Sequence, residues 1–200
     1  MQNAQTTSVS FPRAIAGRIA GDSLLRGSLL VLGGTLLLAL SAQAAIPLPF
    51  SPVPLTLQPL AILLIGAAFG PARAAATATL YLLEGAAGLP VFAQGHGGMA
   101  WLVGPTAGYL FAFPLAAAIA GWAAERRWTR RPLSAVPAMA LALAAIHAGG
   151  WSWLVAALGV PPAAAFATGV APFLLADAIK VALASALLPA AERIVARFAR

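Results

Sequence analysis

The sequence predicts an all-α integral membrane protein of six transmembrane helices. Three observations carry that prediction. Of the 200 residues, 61% are hydrophobic and 8% charged, too little polar surface to coat a soluble globule. Apolar runs of membrane-spanning length recur along the chain, parted by clusters of Pro, Gly or Arg. The arginines fall in alternate connections and the two termini only. In a chain of this kind the formal charge of +7 matters by its placement, and it does not argue for nucleic acid. The chain has no cysteine, which excludes disulfides, thiolate metal sites and a cysteine nucleophile.

Taken in order, residues 1–27 form a basic lead-in, where Phe11, Arg13, Ile15, Arg18 and Ile19 suit an amphipathic segment on the membrane surface. It runs into a long span with no small-residue cleavage site, so it reads as mature chain rather than a signal peptide. Residues 28–188 make the transmembrane core and 189–200 a basic tail, all within a single domain. At roughly 20 apolar residues per crossing, spans are expected over Ser28–Ile46, Leu55–Phe69, Ala72–Leu89, Pro105–Ala124, Leu133–Leu158 and Val170–Leu188. The second is short and the fifth long, which tilt or a re-entrant loop absorbs.

The arginines test this layout independently. With a cytoplasmic N-terminus, Arg13, Arg18, Arg26, Arg73, Arg126, Arg127, Arg130, Arg131, Arg193, Arg197 and Arg200 all fall on the cytoplasmic side. The three opposite connections, Pro47–Pro54, Pro90–Gly104 and Gly159–Gly169, hold no arginine or lysine. That asymmetry is the positive-inside rule, and it predicts a multi-pass protein of the cytoplasmic membrane with both termini on the cytoplasmic side.

The outer connections are built from unusual residues. IPLPFSPVPLTLQPL carries prolines at 47, 49, 52, 54 and 59, so its backbone is extended or turned rather than helical. GLPVFAQGHGGMAWLVGPTAGY is Gly-rich and apolar, which suits a loop that folds back over a pocket at close approach. Its Phe92, Met99 and Trp101 would be an exposed apolar liability unless they cover a cavity or sit at headgroup level.

The last span holds the chemistry. Within PFLLADAIKVALASALLP, Asp177 and Lys180 stand three residues apart, and Lys180 is the chain's single lysine. Each charge costs on the order of 2.5–3.5 kcal/mol at the centre of a bilayer helix, so such residues mark a ligand, ion or proton site. The i, i+3 spacing puts both on one face. An ion pair that only locks helix packing is the competing reading. Counted from Val170 at about 1.5 Å per residue, Asp177 lies roughly 10 Å and Lys180 roughly 15 Å down the helix. Glu84, near the outer end of the third span, is a further embedded acid that suits the cavity wall or a pairing with Lys180. His96 reads as a loop histidine in water, and Trp151 and Trp153 as interface anchors near His147. With only these two histidines and no cysteine, no metal or other cofactor site is expected.

In order along the chain, PFSPVPLTLQPLAILLIGAAFGP, YLLEGAAGLPVFAQGHGG, GPTAGYLFAFPLAA and FLLADAIKVALA resemble the BioY family, the substrate-binding S components of energy-coupling-factor (ECF) vitamin transporters for biotin. The resemblance covers roughly residues 46–188 and rests on several separated motifs. It implies an ECF S-component-like fold of six helices that binds biotin beneath the outer loops. It also implies a binding role for Asp177 and Lys180, which match the last-helix D-x-x-K pattern, and for Gln94, where the family presents a polar or small side chain. Gly97, Gly98 and Tyr109 of the matching motifs, with Glu84, complete the expected substrate-binding set. Biotin suits the residues themselves. Asp177 can accept from the ureido N–H groups, and Lys180 can meet the ligand carboxylate or hold Asp177 in place.

No G-x-x-x-x-G-K-S/T occurs, since the lone lysine lies in DAIK, so the chain supplies no ATP-binding P-loop. The resemblance implies a transmembrane coupling subunit and two ATPase subunits, docked on the first helices through small residues such as Ser23, Gly27, Gly33 and Gly34. A solitary, self-assembling transporter stays open beside it. So do an S component for another vitamin and a small intramembrane enzyme, for which Ser152 and His147 are the nearest Ser–His pair.

Overall fold

The structure, a computed structural model, describes the backbone of residues 24–198 and the side chains of residues 27–189. Ser23 and the basic lead-in lie outside the described residues, as do the side chains of the tail arginines. The elements are α1 Leu24–Gln43, β1 Ala45–Ile46, β2 Leu55–Thr56, α2 Gln58–Phe69, α3 Pro71–Ala86, α4 Ala107–Glu125, α5 Pro132–Ala156, α6 Pro162–Gly169 and α7 Leu174–Phe198, with short 3-10 turns between several of them. The fold is all-α, with six long helices and the eight-residue α6.

Among the described residues, three stretches are long and apolar enough to cross a membrane by length and composition alone: Ala107–Glu125, Pro132–Ala156 and Pro162–Pro189. The described apolar part of α1, Gly27–Gln43, and α2 are shorter. The outer faces remain apolar even so. On α1, Leu29, Leu32, Leu36 and Leu40 are exposed at helical spacing, and on the later helices Leu133 and Leu175 are 90% and 77% exposed. Water would penalise such faces, whereas lipid accepts them. The chain is a membrane protein.

α4 is the centre of the bundle, packed against α2, α3 and α5, while α7 closes on α5 and α2 and α1 rests on α3. The centre is small-residue ground: Ala116, Ala117, Ala120, Ala123 and Ala124 of α4 are fully buried. Lipid tails are as apolar as leucine, so helices in a bilayer gain by close backbone approach rather than by hiding apolar surface. Gly108 of α4 and Gly149 of α5 make the closest such contact, since a side chain on Gly108 would overlap the Gly149 carbonyl.

Three expected boundaries are corrected. The proline-rich segment is a short hairpin, Ala45 pairing with Thr56 and Ile46 with Leu55, so the second helix starts at Gln58 rather than 55. The connection at 159–169 contains helix α6. The last helix begins at Leu174, after a 3-10 turn over Ala171–Phe173, and continues past Pro189 to Phe198. Prolines at 161, 162 and 172 explain the break, since each removes a backbone donor and opposes continuation of the preceding helix.

Candidate binding site

A partly open cavity lies among α2, α4, α5 and α7 under the proline-rich hairpin and the Gly-rich loop. Val53, Pro54 and Thr56 line it from the hairpin, Gln58 and Pro59 from α2, and Phe92, Ala93 and Trp101 from the Gly-rich loop. Thr106, Tyr109, Leu110 and Phe113 face it from the start of α4, Ile146 and His147 from α5, Phe173 from the 3-10 turn before α7, and Asp177 and Lys180 from α7. Apolar and aromatic walls with a few polar groups are the usual design of a site for a small organic ligand.

The polar centre is a triad. Lys180 Nζ donates to Asp177 Oδ1 at 2.6 Å, and His147 Nε2 lies 2.7 Å from Asp177 Oδ2. Asp177 and Lys180 are only 6% and 5% exposed. Because α7 starts at Leu174, Asp177 sits in its first turn, where the positive end of the helix dipole favours a carboxylate. It is therefore only about 4.5 Å beyond the helix start, and Lys180 about 9 Å, shallower than a helix from Val170 would place them.

Tyr109 spans the wall behind this triad. Its hydroxyl donates to the Gly169 carbonyl at 2.7 Å, tying α4 to the end of α6, and its ring meets that of His147 edge-on at 6.4 Å. The ring fits because Gly150 has no side chain, and a Cβ there would overlap it. Across the cavity, Gln58 Nε2 donates to Tyr81 Oη at 2.8 Å, and Tyr81 in turn donates to the Val91 carbonyl at 2.8 Å. The fully buried Tyr81 also takes the edge of Phe92 at a centroid distance of 5.5 Å. α3 thus holds the start of the Gly-rich loop over the cavity. Gln43 Nε2 of α1 adds a bond to the Phe92 carbonyl at 3.2 Å.

Other expected residues lie elsewhere. Glu84 does not line the cavity or reach Lys180, because its carboxylate accepts from Thr35 Oγ1 at 3.0 Å, on the α1 side of α3. Gln94 is exposed and holds a left-handed turn at φ 61°, so its side chain is not among the lining groups. Gly97 and Gly98 are loop backbone outside the lining. A Cβ on Gly97 would overlap the Leu89 carbonyl, so that glycine serves close packing of the loop on itself. Gly34 is buried against Thr77 and Phe69 and is not open for docking, whereas Gly27 and Gly33 face open space. His96 is half-buried and stacks on Trp101, with ring centroids 4.2 Å apart. Phe92 is buried and Trp101 faces the cavity, while Met99 remains 63% exposed.

Trp151 and Trp153 also staple connections to the bundle. Trp153 Nε1 donates to the Gly104 carbonyl at 3.0 Å and Trp151 Nε1 to the Pro162 carbonyl at 3.1 Å. Ser152 is exposed and donates to the Gly149 carbonyl at 3.1 Å, while His147 turns to Asp177. The Ser–His pair of an enzyme reading is therefore not brought together.

Residue-by-residue reading missed His147 as the partner of Asp177, and Gln58 and Thr106 as lining groups. The available signal was that a polar side chain at membrane depth needs a partner, which applies to His147 and Gln58 as much as to Asp177.

The family model described as the BioY family matches residues 10–197. The chain belongs to the BioY family. A probable biotin transporter BioY from Pyrococcus horikoshii is 40% identical over 144 residues, covering 72% of this chain and 83% of the relative. The biotin transporter BioY of Rhodobacter capsulatus is 39% identical over 165 residues, covering 77% and 86%. Among solved structures, the S component for biotin from an ECF-type ABC transporter superposes with a TM-score of 0.75 at 23% identity, over 85% of this chain and 90% of that one. The BioY fold is thus the fold seen here, and BioY proteins are transporter components rather than enzymes.

Proposed function

We propose that this BioY-family chain binds biotin in the cavity under the outer loops and is the substrate-specific component of biotin uptake across the cytoplasmic membrane. The observation that carries the reading is the buried Asp177–Lys180 pair, joined by His147, in an otherwise apolar and aromatic cavity. Biotin offers a ureido ring with two N–H donors and one carbonyl acceptor, an apolar thioether ring, and a carboxylate on an aliphatic chain. Phe92, Trp101, Tyr109 and Phe173 suit the apolar body. Asp177 and Lys180, in contact with one another, suit one polar end, either with Asp177 accepting from the ureido N–H groups while Lys180 holds it in place, or with Lys180 meeting the carboxylate. The names of the relatives support the same ligand.

Energy comes from other subunits in this reading, because the chain has no P-loop. A transmembrane coupling subunit and two ATPases are the partners, with biotin as cargo and no resident cofactor. Gly27 and Gly33 on α1, where a Cβ would meet open space, suit close approach of a partner helix. Work by the BioY chain alone, as a self-assembled unit, is the second arrangement. Both termini are cytoplasmic, as the one-sided arginines require.

Labelled biotin titrated against the detergent-purified full chain tests the reading. Saturable binding displaced by unlabelled biotin, and not by other vitamins, is the expected result. Stronger displacement by another vitamin would reassign the ligand, and no binding would overturn the proposal.

A further inference from the structure

The ion pair does not use up the polar lining of the cavity, and what remains bears on how a ligand is read there, given the biotin reading above. Asp177 engages Lys180 with one oxygen and His147 with the other. A carboxylate only accepts, so His147 Nε2 carries the proton. In the neutral tautomer with that proton, Nδ1 is the accepting nitrogen of the ring. That Nδ1 is buried and has no partner among the described residues, and the same holds for Thr106 Oγ1. Both residues line the cavity.

Thr106 is unusual in a second respect. It stands at the N-cap of α4 but makes no side-chain cap bond, although a threonine there ordinarily accepts from the first free N–H groups of its helix. Its hydroxyl is buried. A buried hydroxyl left unpaired bears its full desolvation cost, which a bound ligand group can relieve. One turn further along α4, Tyr109 places its ring against that of His147, so the two residues belong to adjoining parts of the same wall.

We propose that His147 and Thr106 are specificity-determining residues that read the cyclic-urea head of the ligand. Nδ1 of His147 accepts one ureido N–H, and the Thr106 hydroxyl donates to the ureido carbonyl. Asp177 then also acts as the group that fixes the tautomer and orientation of His147.

The test uses the purified full chain with biotin and with biotin methylated at either ureido nitrogen. Thr106→Val removes the hydroxyl at constant shape, and Thr106→Ser keeps it. His147→Gln keeps an amide donor toward Asp177 and lacks the Nδ1 lone pair. Thr106→Val and His147→Gln are each expected to weaken biotin on the order of tenfold or more, while Thr106→Ser binds like the parent. Methylation at one of the two nitrogens should weaken the parent and cost His147→Gln nothing further. Either variant melting like the parent and binding biotin within about twofold of it overturns the assignment of that residue. Should His147→Gln fail to fold, Thr106→Val binding as tightly as Thr106→Ser overturns the proposal. A parent that binds no biotin overturns the biotin reading itself, before any variant is compared.

Discussion

His147 Nε2 meets Asp177 Oδ2 at 2.7 Å across the interface of α5 and α7, thirty residues apart in the chain. That contact makes the carboxylate the shared centre of two helices, with Lys180 on its other oxygen. Helix packing and ligand chemistry therefore depend on the same three side chains, and the predictions that follow separate the two.

Removing one partner of the buried pair should be worse than removing both. Lys180→Ala strands the Asp177 carboxylate with His147 alone, and breaking a buried pair in this way costs about 3–5 kcal/mol. The double variant Asp177→Leu, Lys180→Met exchanges the pair for apolar groups of similar size, often neutral by itself, and leaves only the neutral His147 without its acceptor, at about 1–3 kcal/mol. Expected is a smaller drop in melting temperature for the double variant than for Lys180→Ala, and no measurable biotin binding in either. Near-parent affinity in the double variant would make the pair purely structural.

Tyr109 predicts a graded series. Tyr109→Phe removes only the hydroxyl that ties α4 to the Gly169 carbonyl and should lower stability by about 1 kcal/mol. Gly150→Ala drives a methyl into the ring itself and should cost more, about 1–3 kcal/mol as an overpacked contact. Thermal unfolding in detergent checks the order. A Gly150→Ala variant as stable as the parent would show that the ring has room to move.

The Gly-rich loop should respond to ligand. The chain has no cysteine, so Ala93→Cys on the cavity wall provides a single reporter thiol, at a site with room that Gly97 lacks. Biotin should slow its labelling by a water-soluble thiol reagent. Tyr81→Phe, which loses the bond to the Val91 carbonyl, should speed labelling without ligand, because the loop opens more readily. Equal labelling with and without biotin would remove the loop from the binding event.

Topology has its own check. A reporter fused after Arg127, between α4 and α5, should read as cytoplasmic, and one fused after Gly98, between α3 and α4, as external. The reverse pattern would move the cavity to the other side of the membrane.

The sequence by itself determined the class and the layout. Apolar run length, proline position and one-sided arginines are properties of neighbouring residues, and so is the i, i+3 spacing that pairs Asp177 with Lys180. Tertiary structure decided what those local rules do not reach. It turned His147 to Asp177, Glu84 to Thr35 and Gln94 to the surface, broke the chain into α6 before α7, and set the Tyr109 ring against Gly150. The reason is geometric. A helix declares from its own residues which of them share a face, but which face meets which neighbour depends on the rotation and register of two helices at once. Those are set by close packing of small residues such as Gly108 and Gly149 over the whole bundle.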